Sequence, residues 1–161
     1  MRRIVLMLLV LSCCAGCGMI GVSRNKDFTH TGCATGTKAD AEDTPFDEVT
    51  SLLTLQYVDG ELLVTRTNAR MNCSIKEYGL VCDVTIEGNV IHYNVYEKDG
   101  PSADCICRVE RMSSTVTGLQ TGKEYTFDYS CSHDFAPFTF TFENGLNLVR
   151  DITDEEYYMP I

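Results

Sequence analysis

The chain has 161 residues and a formal net charge of −10. An acidic chain repels the phosphate backbone of nucleic acids and the headgroups of anionic lipids, so neither is an expected direct partner. Its length suits one compact domain and is too short for two domains of ordinary size.

The N-terminus has the layout of an export signal. Arg2 and Arg3 precede an apolar run from Ile4 to Leu11, and small residues follow. Since this run has about half of the roughly 20 residues that a membrane-spanning helix needs, it predicts a cleaved leader over residues 1–16. Export places the domain in an oxidising compartment, where disulfides persist.

Ala15-Gly16-Cys17 resembles the lipobox of bacterial lipoproteins, in which two small residues precede a cysteine that is lipidated and becomes the new N-terminus. The resemblance implies lipid attachment at Cys17. It also implies a protein anchored by that lipid in the outer membrane of a bacterial cell envelope, facing the periplasm or the exterior. Val10-Leu11-Ser12-Cys13 is a second candidate box, which leaves Cys13 as the alternative site. A secretory signal that is cleaved without lipidation is the other alternative.

Residues 17–48 predict a flexible tether. They are rich in Gly, Thr, Asp and Lys and show neither strand nor helix periodicity. A flexible coil of this length spans on the order of 30 Å, which lifts a domain clear of the lipid headgroups. Cys33 lies in this segment, and we expect it to pin the second half of the tether to the domain.

Residues 49–150 predict a β-domain, because short runs of β-branched, aromatic and aliphatic residues alternate with turn signals. Asp59-Gly60 and Glu87-Gly88-Asn89 are tight-turn signals, each between two such runs. Seven or eight strands at this spacing favour an all-β sandwich. The expected strands are Leu52–Val58, Glu61–Thr67, Cys82–Ile86, Val90–Tyr96, Cys105–Val109, Thr115–Leu119, Glu124–Cys131 and Phe138–Phe142.

Residues 151–161 close the chain with acidic and aromatic side chains. We expect a solvated tail here, because the segment lacks the alternation of a strand. The alternative is a docking segment that uses Tyr157 and Tyr158.

The segment from Ser114 to Tyr129 resembles the corner between strands E and F of fibronectin type III and related immunoglobulin-like domains. The resemblance implies a single immunoglobulin-like (fibronectin type III-like) antiparallel β-sandwich. It also implies that Leu119 plugs the core, that Gly122 permits the turn, and that the Tyr125 hydroxyl bonds to the backbone near Leu119.

Other segments resemble a group of short cysteine-rich lipoproteins from Bacteroidetes-type bacteria. The resemblance is spread over most of the mature chain, and it implies no established activity. It is carried by Thr31-Gly32-Cys33, by the run from Asn68 to Cys73, by Gly88-Asn89-Val90-Ile91 and by Cys105-Ile106-Cys107.

Six cysteines remain beyond the leader and Cys17, and an even number in an exported domain predicts three disulfides of open connectivity. On the fibronectin-like strand order, five of them lie at one end of the sandwich, so the resemblance implies a disulfide-stapled pole that Cys33 reaches from the tether. The alternative is a thiolate metal site, with Cys105 and Cys107 as a pair and with Cys73, Cys82, Cys131 or His133 as further ligands, or a thiol-redox pair of Cys105 and Cys107. The six are Cys33, Cys73, Cys82, Cys105, Cys107 and Cys131.

The sequence contains no G-x-S-x-G elbow, H-E-x-x-H pair, phosphate-cradling loop or EF-hand pattern. We therefore expect a non-enzymatic binding or structural module without a cofactor or metal, whose partner beyond the membrane is a protein or a glycan. Loops on a rigid scaffold are where such folds place recognition. The candidate binding residues at the stapled pole are Asn72, Asp104, His133 and Asp134.

Overall fold

A computed structural model describes residues 25–33, 49–98 and 105–156. The predicted leader, the lipid site at Cys17 and its alternative at Cys13, Asp104 and residues 157–161 lie outside the described residues. The strands are β1 (Asn25–His30), β2 (Leu52–Val58), β3 (Glu61–Asn72), β4 (Leu80–Glu87), β5 (Val90–Glu97), β6 (Ile106–Val116), β7 (Lys123–Cys131), β8 (His133–Asp134), β9 (Phe138–Phe142) and β10 (Asn147–Asp151). Two short helices are α1 (Ile75–Tyr78) and α2 (Thr153–Glu156).

The strands form two sheets, which confirms the predicted all-β sandwich. Sheet A has the order β1-β6-β3-β2-β10, and all its pairs are antiparallel. Sheet B has the order β4-β5-β7, and β8 and β9 both pair with β7. Side chains that alternate inward along these strands meet between the sheets and form the core, in which Leu55, Val64, Ile91 and Phe127 are fully buried.

One pair departs from the antiparallel prediction, because β5 and β7 run parallel. In the immunoglobulin arrangement the strand at the position of β4 would neighbour β7. Here β4 is the edge of sheet B, and Asn25 of β1 donates a side-chain hydrogen bond to the Cys82 carbonyl oxygen at 2.8 Å. The exposed backbone edge of β4 is thus partly covered by sheet A.

Strands β3 and β6 both change the phase of their inward alternation at the same level. The inward residues of β3 are even-numbered up to Arg66 and odd-numbered from Ala69, and those of β6 are odd-numbered up to Val109 and even-numbered from Met112. Asn68 lies at the change, with a φ of 56°. This matched irregularity keeps both strands facing the core, and it turns Met71 inward at the end of the sandwich.

The structure corrects three of the predicted element boundaries in the middle and at the start of the chain. The expected strands Cys105–Val109 and Thr115–Leu119 are parts of one strand, β6. Ser114, which lies between them, is buried, and its hydroxyl oxygen lies 2.7 Å from the Tyr93 hydroxyl oxygen. The tether prediction is wrong for β1, which pairs with β6 at the edge of sheet A. A strand that pairs through its backbone at a sheet edge needs no apolar alternation, so the residues of β1 carry no local strand signal.

The C-terminal boundary is also corrected. Strand β10 pairs with β2, and the tail prediction is wrong for residues 151–156. Ile152 is only 1% exposed, and Arg150 forms an ion pair with Glu155 at 2.6 Å. Residues 151–156 pack on the sandwich because the Ile152 side chain is buried and the Arg150–Glu155 ion pair holds α2 in place.

The corner that follows β6 contains the predicted hydrogen bond. The backbone amide of Gln120 donates to the Tyr125 hydroxyl oxygen at 2.9 Å. Gly122 has a φ of 81°, which only glycine adopts without strain, and Leu119 is half-buried against the core. The corner therefore fixes how β7 enters sheet B.

Candidate functional site at the cysteine pole

Two disulfides join strand ends at one end of the sandwich, which we call the cysteine pole. Cys73–Cys105 links the end of β3 to the start of β6, and Cys33–Cys107 links the segment after β1 to β6. Their Cα–Cα distances are 5.6 and 5.5 Å, and their sequence separations are 32 and 74. Closing loops of this length restricts the unfolded chain and stabilises the fold by about 4 kcal/mol for each bridge.

The third predicted disulfide is absent. Cys82 and Cys131 are both buried, and neither sulfur atom is in a disulfide. Both are paired with Val95, one from each side of β5. Two strand spacings separate their Cα atoms by about 10 Å, beyond the roughly 7 Å that a disulfide allows. The alternative of a Cys105–Cys107 thiol pair is also wrong, since each sulfur is bonded to a different partner.

Cys82 lies in a polar group inside the sandwich and not on the pole. Its thiol is hydrogen-bonded to Tyr93 and Ser114, and burial raises its pKa to about 11. Burial likewise holds the pKa of Tyr93 well above its ordinary value. At neutral pH this thiol is protonated, so it is neither a nucleophile nor a ready metal ligand.

Cys131 lies at the pole and faces sheet A. Its Sγ atom is 3.4 Å from the Sδ atom of Met71, and the Ser132 hydroxyl oxygen is 3.5 Å from the same Sδ atom. His133 is the register partner of Cys131 across the tight turn at Ser132. Both His133 ring nitrogens are buried without a hydrogen-bond partner, and the ring packs on Phe135 with centroids 4.2 Å apart.

A pocket of about 210 Å³ opens at the pole beside this sulfur pair. Glu97 forms one wall, where its carboxylate accepts the Asn72 amide at 3.1 Å and the Ser74 hydroxyl at 2.5 Å. Ile106 forms an apolar lip and is 49% exposed. The pocket is lined by Arg70, Met71, Asn72, Glu97, Ile106 and Ser132. It thus combines a cation, an oriented carboxylate, an apolar edge and a thioether.

The candidate residues from the sequence fall in different places. Asn72 lines the pocket, and its side-chain oxygen accepts the Ser74 amide at 3.0 Å. His133 does not project as predicted, because its ring nitrogens are buried. Sequence reasoning missed five of the pocket residues, and each lies within three residues of a cysteine or at a strand end: Arg70, Met71, Glu97, Ile106 and Ser132. Adjacency to the stapled strand ends is the signal that could have found them.

Asp134 belongs to the outer face of sheet B and not to the pocket. It is exposed and lies opposite Ser130, whose hydroxyl donates to the Asn94 side chain at 2.7 Å. This outer face is acidic, and within the part of the chain described its strands place no lysine or arginine on it. Its acidic residues are Asp83, Glu87, Glu124, Asp128 and Asp134.

Sheet A presents the opposite charge near the pole. Arg70 and Arg108 are direct register partners on its outer face, next to the pair formed by Asn72 and Ile106. The pair therefore places two cationic side chains next to each other at this end of sheet A.

Other features of the described residues lie away from the pole. His92 is on the polar outer face of its strand, with Nδ1 2.8 Å from an Asp128 carboxylate oxygen. A wider depression of about 600 Å³ lies at the β2–β3 turn and is lined by Tyr57, Val58, Asp59, Gly60 and Asn144.

Among residues 25–33, 49–98 and 105–156, no group of three His, Cys, Asp or Glu side chains is placed to hold a metal ion. In these same ranges no helix is both long and apolar enough to cross a bilayer.

Comparison of the chain with protein-family models, with curated proteins and with solved structures gave no match. Function is therefore inferred from the geometry of the cysteine pole.

Proposed function

We propose that this protein is a lipoprotein of a bacterial cell envelope whose β-sandwich is a non-enzymatic binding module. On this proposal the lipid at Cys17 holds the domain at the outer membrane, and the pole pocket contacts a protein or glycan. The supporting observation is the pocket between strand ends that two disulfides lock together. A site held rigid before binding loses less conformational entropy when the partner arrives.

The size of the pocket limits what enters it. Small-molecule sites usually measure roughly 300–1,000 Å³, and this pocket measures about 210 Å³. It suits one side chain or one sugar unit of a larger partner. Ile106 supplies apolar contact at the lip, whereas Glu97 and the cationic side at Arg70 supply polar contacts, so the inserted group has both apolar and hydrogen-bonding parts.

Substitution of the lip tests the proposal. Ile106→Asp places a charge where apolar contact is expected, and Val149→Asp is the matched control, because Val149 is a similarly exposed aliphatic residue on β10. The native lipidated proteins are purified under mild conditions, and the molecules that accompany each are identified and quantified. We expect one partner to be lost from Ile106→Asp and retained by Val149→Asp. Equal recovery of every partner by both variants would remove the pole from consideration.

A further inference from the structure

The sulfur pair behind the pocket is chemically unusual for a structural core. The Cys131 thiol and the Met71 thioether are 3.4 Å apart, and both side chains are buried. Ser132 adds a hydroxyl 3.5 Å from the thioether sulfur. Two sulfur ligands of this kind select soft metal ions over hard ones.

His133 is the candidate for a third donor, because it is the register partner of Cys131. Directly opposed residues of an antiparallel pair carry their side chains on one face, with Cβ atoms about 5 Å apart. Cys131 and His133 are such a pair. The two imidazole nitrogens are buried and make no hydrogen bond to the described protein groups, whereas buried polar groups usually have a partner.

We propose that Cys131, Met71 and His133 form a binding site for monovalent copper, Cu(I). Thiolate, thioether and imidazole together are the donor set that this ion prefers. On binding, the Cys131 thiol releases its proton to solvent and a sulfur–copper bond forms. The copper stays monovalent, so no electron is transferred. The site is independent of the partner proposed above, because it uses side chains behind the pocket and not the lip.

Charge favours a monovalent over a divalent ion here. One thiolate neutralises Cu(I), whereas a divalent ion would leave a net positive charge in the interior. Arg66 makes such a charge more costly, because its guanidinium is buried and lies 5.5 Å from the centroid of Phe135, the ring that packs on His133. The site is therefore predicted to discriminate against Zn²⁺.

The ion has a path to the site. Met71 and Ser132 line the pole pocket, so the pocket reaches two of the residues at the proposed site. The four disulfide sulfurs are already bonded, and Cys82 lies one strand away across β5. Among the described cysteines, Cys131 is the thiol next to this path.

The test is a titration of the full-length chain with Cu(I), kept reduced by ascorbate, in competition with a coloured Cu(I) chelator. Ascorbate leaves disulfides intact. We expect Cys131→Ser to bind one copper fewer than the parent, and Cys82→Ser, the matched buried thiol, to bind the parental number. Cysteines near the N-terminus are common to all variants, so the difference isolates this site. Equal copper binding by Cys131→Ser and the parent would overturn the proposal.

Two further variants keep the test decisive if Cys131→Ser unfolds. Met71→Leu conserves volume and removes the thioether, and His133→Phe removes the imidazole and keeps a ring. Each is expected to weaken Cu(I) binding by more than about tenfold, the usual effect of disturbing a metal site. X-ray absorption at the copper edge should show one sulfur neighbour fewer in Met71→Leu. Parental affinity in both variants, or equally tight Zn²⁺ binding at Cys131, would contradict the assignment.

Discussion

At the scale of single residues, the two cysteines outside disulfides show how strongly position determines chemistry. Cys82 and Cys131 are both buried and both paired with Val95. Cys82 is hydrogen-bonded to the hydroxyl groups of Tyr93 and Ser114, whereas Cys131 contacts the Met71 thioether as well as the Tyr129 hydroxyl. The even count of cysteines predicted a third bridge, and it could not reveal that β5 separates these two. Strand order, which depends on packing between distant segments, decides the outcome.

The raised pKa of Cys82 predicts a loss of stability at high pH. A thiol that is harder to ionise in the folded state stabilises the fold fully below its ordinary pKa of 9.0, and that contribution is lost as the pH rises towards about 11. The loss amounts to about 2 kcal/mol at the upper end of this window.

Urea unfolding of the parent and of Cys82→Ala at intervals from pH 7 to pH 11 measures the effect. Other groups titrate in both proteins, so the difference between them isolates Cys82. We expect the parent's advantage to be constant up to about pH 9 and to shrink above it. A difference that stays constant across the whole range would contradict the environment described for this thiol.

At the scale of elements, the hairpins were predictable and the edge strands were not. Asp59-Gly60 and Glu87-Gly88-Asn89 mark the β2–β3 and β4–β5 turns, because local turn chemistry specifies a hairpin. The Tyr125 corner was also predictable, since one hydroxyl and one glycine fix it. Strands β1 and β10 depend on backbone pairing with strands that are distant in the sequence, so no local sequence pattern predicts them. The parallel β5–β7 pair depends on packing, and no local pattern predicts it either.

The Cys33–Cys107 disulfide should be the main constraint that keeps β1 paired with sheet A. We expect the double variant Cys33→Ala, Cys107→Ala to lose about 4 kcal/mol of unfolding free energy and most hydrogen-exchange protection in β1. The matched double variant Cys73→Ala, Cys105→Ala removes the disulfide that closes a different loop. It should lose a similar free energy and keep protection in β1. Equal protection of β1 in both variants would show that backbone pairing alone holds this strand.

At the scale of the whole molecule, charge and covalent links are both unevenly distributed. The outer face of sheet B carries acidic residues, and the paired Arg70 and Arg108 lie on sheet A beside the pocket. Both disulfides fasten the same end. This asymmetry gives the sandwich one covalently constrained end, the end at which we propose that a partner binds.

The proposed lipid anchor predicts where the whole protein is found in the cell. Cys17→Ser should move the protein from the membrane fraction to the soluble fraction, because the acyl chains that hold it are lost. Cys13→Ser is the matched control and should leave it in the membrane fraction. Retention of Cys17→Ser in membranes together with release of Cys13→Ser would place the lipid at Cys13.

The most direct test of the binding proposal is a hydrogen-exchange footprint of the native protein with its co-purified partner. The account predicts slower exchange at the pole, in the segments around Asn72, Glu97, Ile106 and Ser132, and no change at the β2–β3 turn. Slower exchange confined to the acidic outer face of sheet B, with the pole unchanged, would contradict it.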